Sequence, residues 1–249
     1  MTMGEHQIGI VLLAGVIVFA GHLVKGVSGF GSALFAVPLL LLILDIKLIT
    51  PMFLLFDFTS GVLLVGSNWR SIDRRLLLLL VSGMLVGTGL GTWVLLSFSH
   101  EVLKRVLGVL VTGWALVMLL KRDRAKLSPG RSLGATLAPL SGFLGGCLGA
   151  MFSVNGPPII IYLSQVLEEK QAFRATLYGV FFADACYKVV LFTANRLLDR
   201  EVFRFALLMA PFLVAGVVVG SKLQRSLNQK VFERIVAAIL TVTGVMLLI

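Results

Sequence analysis

The sequence predicts an all-α protein that crosses a lipid bilayer many times, and three observations support this fold class. Of the 249 residues, 58% are hydrophobic and only 14% are charged, and the mean hydropathy is +1.00. Soluble domains are about 45–50% apolar and about 25% charged, so a soluble fold could not bury this much apolar surface. The apolar runs are long enough to cross a hydrocarbon core of about 30 Å as helices. They lack the strict alternation of apolar and polar residues that barrel strands require.

Ten apolar segments are predicted to be helices. They lie at 8–24, 30–45, 48–67, 76–98, 102–120, 133–150, 156–167, 175–194, 202–220 and 231–249. The longest polar interval contains Pro129 and Gly130, which favour a loop. The predicted organisation is therefore a first membrane repeat at 1–120, a linker at 121–132 and a second membrane repeat at 133–249.

The two halves share a pattern of residues in the same order, which indicates an internal duplication. The matched residues are Gly26, Gly29 and Pro38 with Gly146, Gly149 and Pro158; Asp57 and Asn68 with Asp184 and Asn195; and Gly87 and Gly91 with Gly216 and Gly220. The last four glycines are interpreted as positions of close helix packing. Internal repeats are common in secondary transporters. Because each half has five segments, an odd number, the halves are predicted to be inverted repeats.

The distribution of Lys and Arg predicts the orientation and explains the net charge of +10. With both termini outside, the inside loops hold 14 of these residues and the outside loops hold 6, as the positive-inside rule requires. A nucleic-acid partner is therefore not expected. Cys147 and Cys186 lie inside apolar segments and give neither a disulfide framework nor metal-ligand spacing. No metal, cofactor or enzymatic activity is expected, and a scaffold role is a further alternative.

Each half also contains a glycine-rich interruption within apolar sequence. The first runs from Lys25 to Ser32, and the second runs from Gly142 to Gly149 and continues at Ser153–Pro158. Glycine and proline disfavour helix interiors by about 1 and 3 kcal/mol, so broken or re-entrant helices are predicted there. Unwound backbone at membrane depth is tolerated where it is buried in protein or lines a wet cavity. A helix that starts after such a break directs its N–H groups at the cavity, which suits an anion.

These paired motifs resemble those of the sulfite exporter TauE/SafE family of membrane permeases. The residues that carry the resemblance are Gly26-Val27-Ser28-Gly29-Phe30-Gly31 with Val37-Pro38-Leu39-Leu40, and Gly145-Gly146-Cys147-Leu148-Gly149 with Asn155-Gly156-Pro157-Pro158. The resemblance extends over essentially the whole chain. It implies transport of sulfite, sulfonates or related sulfur-containing anions, often outward and without ATP. Family members differ in substrate, and Met151–Ser153 stands where relatives often carry more glycine.

The candidate site residues come from the two interruptions and from charges within apolar segments. The substrate-binding candidates are Lys25, Gly26, Ser28, Gly29, Gly31, Ser32, Gly149, Ser153, Asn155 and Gly156. The coupling or gating candidates are His22, Asp57, Asp184 and Lys188, because charged residues are costly in a membrane. Lys25 could instead anchor a helix end, and His22 could hold a helix contact. Asp184 and Lys188 are four residues apart, so they form either a neutral structural pair or a proton relay.

The function predicted from these features is a secondary transporter that moves sulfite, an organosulfonate or a related anion across the cell membrane. Export by alternating access is the expected mode. The alternatives are a channel-like anion permease and a transporter of another small organic anion. The expected partners are the anion and the lipid bilayer, with a homodimer left open, and the expected location is the bacterial inner membrane. Whether 8–24 and 30–45 both cross or form a re-entrant pair is also left open.

Overall fold

The computed structural model describes residues 5–28, 31–120, 136–223 and 229–248, and the regular structure in these ranges is entirely helical. The helices are α1 (Glu5–Ser28), α2 (Ser32–Leu40), α3 (Ile46–Asn68), α4 (Arg74–Ser97), α5 (His100–Leu120), α6 (Leu137–Phe152), α7 (Gly156–Val166), α8 (Lys170–Ala194), α9 (Arg200–Leu223) and α10 (Gln229–Leu248). A 3-10 turn at Trp69–Ser71 precedes α4. Each helix coincides with one predicted apolar segment, so the all-α prediction is confirmed. The predicted linker at 121–132 lies outside the described residues.

Several helices are long and apolar enough to cross a bilayer. Among the described residues, these are the spans Ile8–Val27, Arg74–Ser97, Lys170–Ala194 and Arg200–Leu223. Large apolar side chains on them face outward, including Leu78, Val86 and Leu207, which are 69%, 65% and 77% exposed. Such surface would be unfavourable in water and suits contact with lipid chains. The prediction of a polytopic helical membrane protein is confirmed.

The helices α2 and α7 are too short to cross. They contain 9 and 11 residues, which at 1.5 Å per residue gives about 14 and 17 Å, roughly half of the hydrocarbon core. Each folds back on the helix before it. A methyl group at Gly21 in α1 would lie 2.7 Å from Cβ of Ala36 in α2. One at Gly145 in α6 would lie 2.6 Å from Cδ1 of Ile159 in α7. The predicted broken helices are therefore present, and segment 30–45 does not cross as a full helix.

The chain forms two compact units. The first contains α1, α2, α5, α9, α10 and the start of α3 as far as Ile49; α1 packs on α9 and α2, and α5 packs on α10. The second contains α3 from Thr50 onward, α4, α6, α7 and α8; α4 packs on α6 and α8. The core of the second unit is formed by Leu76, Leu80, Met84, Ala138, Ile159, Tyr162, Leu163, Leu177 and Val180. Each unit takes helices from both halves of the sequence, so the sequence repeats are not themselves the compact units.

The α1–α9 pair of the first unit and the α4–α6 pair of the second have the same glycine contacts. In the α4–α6 pair, Gly87 lies against the Phe143 carbonyl and Gly91 lies against the Cys147 carbonyl. In the α1–α9 pair, Gly216 lies against the Phe19 carbonyl and Gly220 lies against the Leu23 carbonyl. The two contacts of each pair are separated by the same intervals along both helices. The prediction that these glycines allow close helix packing is confirmed. These contacts make Leu23 the counterpart of Cys147, whereas the sequence comparison matches Gly26 with Gly146. The two ways of aligning the halves therefore differ by about one helical turn.

Candidate functional site: the break between α6 and α7

The second unit contains a short stretch of non-helical backbone, Ser153–Asn155, between two apolar helices. Ser153 ends α6 in the left-handed conformation, with φ of 56°, and its N–H donates to the Gly149 carbonyl at 3.0 Å. Asn155 then precedes the first residue of α7. Left-handed backbone is uncommon for residues other than glycine, so the surrounding contacts must hold Ser153 in place.

Thr50, near the start of α3, provides two of these contacts. Its hydroxyl donates to the Met151 carbonyl at 3.1 Å. The Ser153 hydroxyl donates in turn to the Thr50 carbonyl at 3.2 Å. Thr50 and Ser153 are both buried. This reciprocal pair satisfies a carbonyl at the end of α6, which would otherwise lack a helical partner, and it fastens the break to α3.

The carboxylate of Asp184 in α8 forms the polar centre beside the break. Its Oδ1 accepts a hydrogen bond from the Thr88 hydroxyl of α4 at 2.7 Å. Its Oδ2 accepts from the Asn155 side-chain amide at 3.1 Å. The Lys188 ammonium lies 3.0 Å from the same oxygen, and the two charged side chains are 1% and 0% exposed. The charged pair is thus wholly buried, and Asp184 has hydrogen bonds from α4 and from the break.

Gly149 in α6 makes room for this arrangement. A methyl group at Gly149 would lie 2.9 Å from Cβ of Asn155 and 3.3 Å from Oδ2 of Asp184. The Gly149 carbonyl also accepts from the Lys188 ammonium at 3.4 Å. Since Asp184 and Lys188 cancel in charge, the network as a whole is neutral. The contact between Asp184 and Lys188 that their spacing predicted is present.

The start of α7 has few backbone donors. Pro157 and Pro158 follow Gly156, and proline carries no N–H. Gly156 therefore keeps the only backbone N–H among the first three residues of α7. Asn155 and Gly156 are half-buried, unlike Ser153. Two donors at this break therefore lie on half-buried residues, the Gly156 N–H and the Asn155 side-chain amide.

The first predicted interruption begins later than the sequence suggested. Helix α1 continues through Gly26 to Ser28, and a methyl group at Gly26 would lie 2.7 Å from the Val217 carbonyl oxygen of α9. Gly26 is thus a helix-packing position. The second interruption needs the same correction for Gly142–Gly149, which is helical in α6. Its later part, from Ser153, does contain the non-helical stretch Ser153–Asn155. In both cases glycine permits close helix contact, which in lipid offsets its low helix propensity. Gly29 and the side chain of Ser28 lie outside the described residues.

The start of α2 differs from that of α7. Gly31 has φ of 90° and no side-chain cap, and the first helical bond runs from Phe35 N–H to the Gly31 carbonyl at 3.2 Å. The three N–H groups before it, from Ser32 to Leu34, therefore have no acceptor within α2. Ser32 is buried, and Lys25 is half-buried in the last turn of α1. This end of α2 has the positive potential of a helix N-terminus.

The remaining sequence candidates fall within the helices. His22 is buried in α1, and its Nδ1 lies 2.8 Å from the Val18 carbonyl, which fits the alternative of a helix contact. Asp57 is half-buried in α3. Sequence reasoning missed Thr50 and Thr88, whose partners lie about a hundred residues away. Within the described residues, no three His, Cys, Asp or Glu side chains are grouped to hold a metal ion.

These features together define a polytopic helical membrane protein with broken helices and a buried polar network at one break. Residues 13–247 match the family model described as sulfite exporter TauE/SafE. The chain therefore belongs to the sulfite exporter TauE/SafE family, as its motifs indicated. No curated protein and no solved structure matches the chain.

Proposed function

We propose that this protein is a secondary transporter that moves sulfite or an organosulfonate across the bacterial cytoplasmic membrane, with net export by alternating access. The observation that carries the proposal is the polar break Ser153–Asn155, held by a buried network inside an otherwise apolar helical protein. Unwound backbone at membrane depth is tolerated where it is buried in protein or lines a wet cavity. The sulfur chemistry is supported by the family to which the chain belongs.

Each break, considered by itself, has donors that suit such an anion. A sulfonate carries one negative charge on three acceptor oxygens. At α2, the N–H groups of Ser32 to Leu34, the Ser32 hydroxyl and the charge of Lys25 favour an anion. At α7, the Gly156 N–H and the second hydrogen of the Asn155 amide are the available donors. Gly31, Ser28 and Gly29 remain proposed members of the first group, and Gly149 and Ser153 shape the second.

The direct test is transport by the purified protein in proteoliposomes. Uptake of sulfite, of an organosulfonate, of phosphate and of a small carboxylate is measured against concentration. We expect saturable uptake of the sulfur anions and little of the others. Non-saturable flux would support a channel-like permease instead, and preference for the carboxylate would support another organic anion. Failure to move any sulfur anion would contradict the proposed function.

Lys25 and Asn155 provide variants for the same assay. Lys25→Ala should raise KM about tenfold, because a hydrogen bond to a charged group contributes about 1.5–3 kcal/mol. Asn155→Ala should raise KM as well. The matched control is Lys222→Ala, which removes an exposed lysine from the last turn of α9 and should leave KM unchanged. If Lys25→Ala folds and keeps the wild-type KM, Lys25 is only an anchor at the helix end.

A further inference from the structure

The Asp184 carboxylate accepts hydrogen bonds from three elements around the α6–α7 break. Thr88 reaches it from α4, Asn155 from the break itself and Lys188 from the next turn of α8. Thr88 is fully buried, and so are both charged side chains. A buried carboxylate is stable when it is paired and hydrogen-bonded. Here both oxygens accept hydrogen bonds, so the carboxylate is held by three side chains.

We propose that Thr88, Asp184 and Lys188 are positioning residues, which hold Asn155 and the first turn of α7 in the orientation that receives the anion. In this role the contacts of Asp184 are structural, and the residue does not relay protons. The part of this inference that concerns the anion rests on the proposed function. The part that concerns the geometry of Asn155 does not.

The side-chain amide of Asn155 can be oriented by a partner that only accepts hydrogen bonds. An Asn side chain presents a donor NH₂ group on one side and an acceptor oxygen on the other. A carboxylate can only accept, so Asp184 Oδ2 fixes the NH₂ group of Asn155 toward α8. Asn155 immediately precedes α7. Fixing its side chain therefore also fixes the direction in which α7 begins.

The partners of Asp184 favour a positioning role over a proton relay. A proton on Asp184 would remove the negative charge that pairs with Lys188 and would weaken the hydrogen bonds from Thr88 and Asn155. It would also leave the Lys188 charge buried beside the Gly149 carbonyl, which lies 3.4 Å from the ammonium. The contacting groups from α4, the break and α8 are Thr88, Asn155 and Lys188, and only Lys188 is charged.

The chain offers a matched pair of variants for the test. Thr88→Val removes the hydroxyl that donates to Asp184, with little change of shape. Thr92→Val, one turn later in α4, removes a buried hydroxyl that donates only to the Thr88 backbone carbonyl, at 2.8 Å. We expect Thr88→Val to raise KM for sulfite about five- to tenfold, with kcat and the pH profile of transport nearly unchanged. Thr92→Val should leave KM within about twofold of wild type. The expected rise for Thr88→Val is smaller than the full strength of a hydrogen bond to a charged group, because Thr88 acts on the anion through Asn155. Thr92 donates to a neutral backbone carbonyl, so a smaller effect is expected there.

A second measurement separates this inference from the proposed function. Hydrogen–deuterium exchange is followed, without substrate, in peptides that cover the break and the first turn of α7. Thr88→Val and Asp184→Asn should both accelerate exchange there, whereas Thr92→Val should not. If no sulfur anion is transported, the exchange rates still show whether Thr88 and Asp184 hold Asn155 and the start of α7 in place. Wild-type exchange together with wild-type KM in Thr88→Val would overturn the inference. A shifted pH profile in a folded Asp184→Asn protein would also overturn it, since that outcome identifies a relay.

Discussion

Replacing Lys188 by methionine should destabilise the protein strongly, because it leaves the Asp184 carboxylate buried without its ion partner. The two side chains are 1% and 0% exposed, with 3.0 Å between Lys188 Nζ and Asp184 Oδ2. Removing one member of a buried ion pair costs about 3–5 kcal/mol, whereas replacing both by uncharged groups is often neutral. We therefore expect a fall in Tm of roughly 6–20 °C for Lys188→Met. The double variant Asp184→Asn/Lys188→Met should recover most of this loss.

The assay is thermal unfolding of the purified variants in one detergent at one concentration. The control is Lys170→Met at the exposed start of α8, which should change Tm by less than about 2 °C, since isolated surface charges contribute little. The comparison between single and double variants is decisive. If the double variant melts as low as Lys188→Met or lower, the two residues do not act as a neutral unit and the reasoning is wrong.

The remaining predictions concern packing, the break and topology. Gly91→Ala should lower the free energy of unfolding by about 1–3 kcal/mol, because the added methyl group would lie 2.6 Å from the Cys147 carbonyl oxygen; Gly113→Ala, which meets open space, should be neutral or stabilising in the same denaturation series. Ser153→Gly should be nearly neutral in Tm, since relief of about 1–2 kcal/mol of left-handed strain offsets a lost hydrogen bond, whereas Ser153→Val should lower Tm. In a background without native cysteines, a cysteine at position 128 should react only with reagent inside and one at the C-terminus only outside; labelling of both from one side would contradict the inverted topology.

The helices were predictable from sequence to within a few residues, because each is a long apolar run between polar intervals. The positions of the breaks were harder to predict from the sequence. Gly26 was predicted to begin an unwound stretch, yet it lies within α1 against α9. Helix propensity measured in water overstates the cost of glycine where neighbouring helices approach closely. Ser153, the residue that leaves the helix, was within the predicted interruption because the Asn155–Pro158 motif follows it closely.

The candidate site was predictable only in part, because some of its hydrogen bonds join distant parts of the chain. The possible pairing of Asp184 with Lys188 followed from their spacing on one helix face. Thr50 and Thr88 could not be found in this way, because their bonds join residues about a hundred positions apart. A threonine within apolar sequence usually bonds its own helix backbone, as Thr92 does. Only tertiary contacts distinguish Thr88 from it.

The matched positions of the two halves also differ in chemistry, and the difference is informative. Lys188 follows Asp184 by one turn, but the residue one turn after Asp57 is Gly61. A methyl group at Gly61 would lie 2.8 Å from the Phe182 ring, so this position accommodates an aromatic side chain rather than a charge. Likewise, Gly31 precedes α2 and Asn155 precedes α7. The predicted duplication would account for the common arrangement of broken helices. The Asp184–Lys188 pair and the Asn155 amide give the second break its own chemistry. The α7 break is therefore expected to depend on a buried charge pair, whereas the unpaired first-turn N–H groups within α2 are the donors expected at the α2 break.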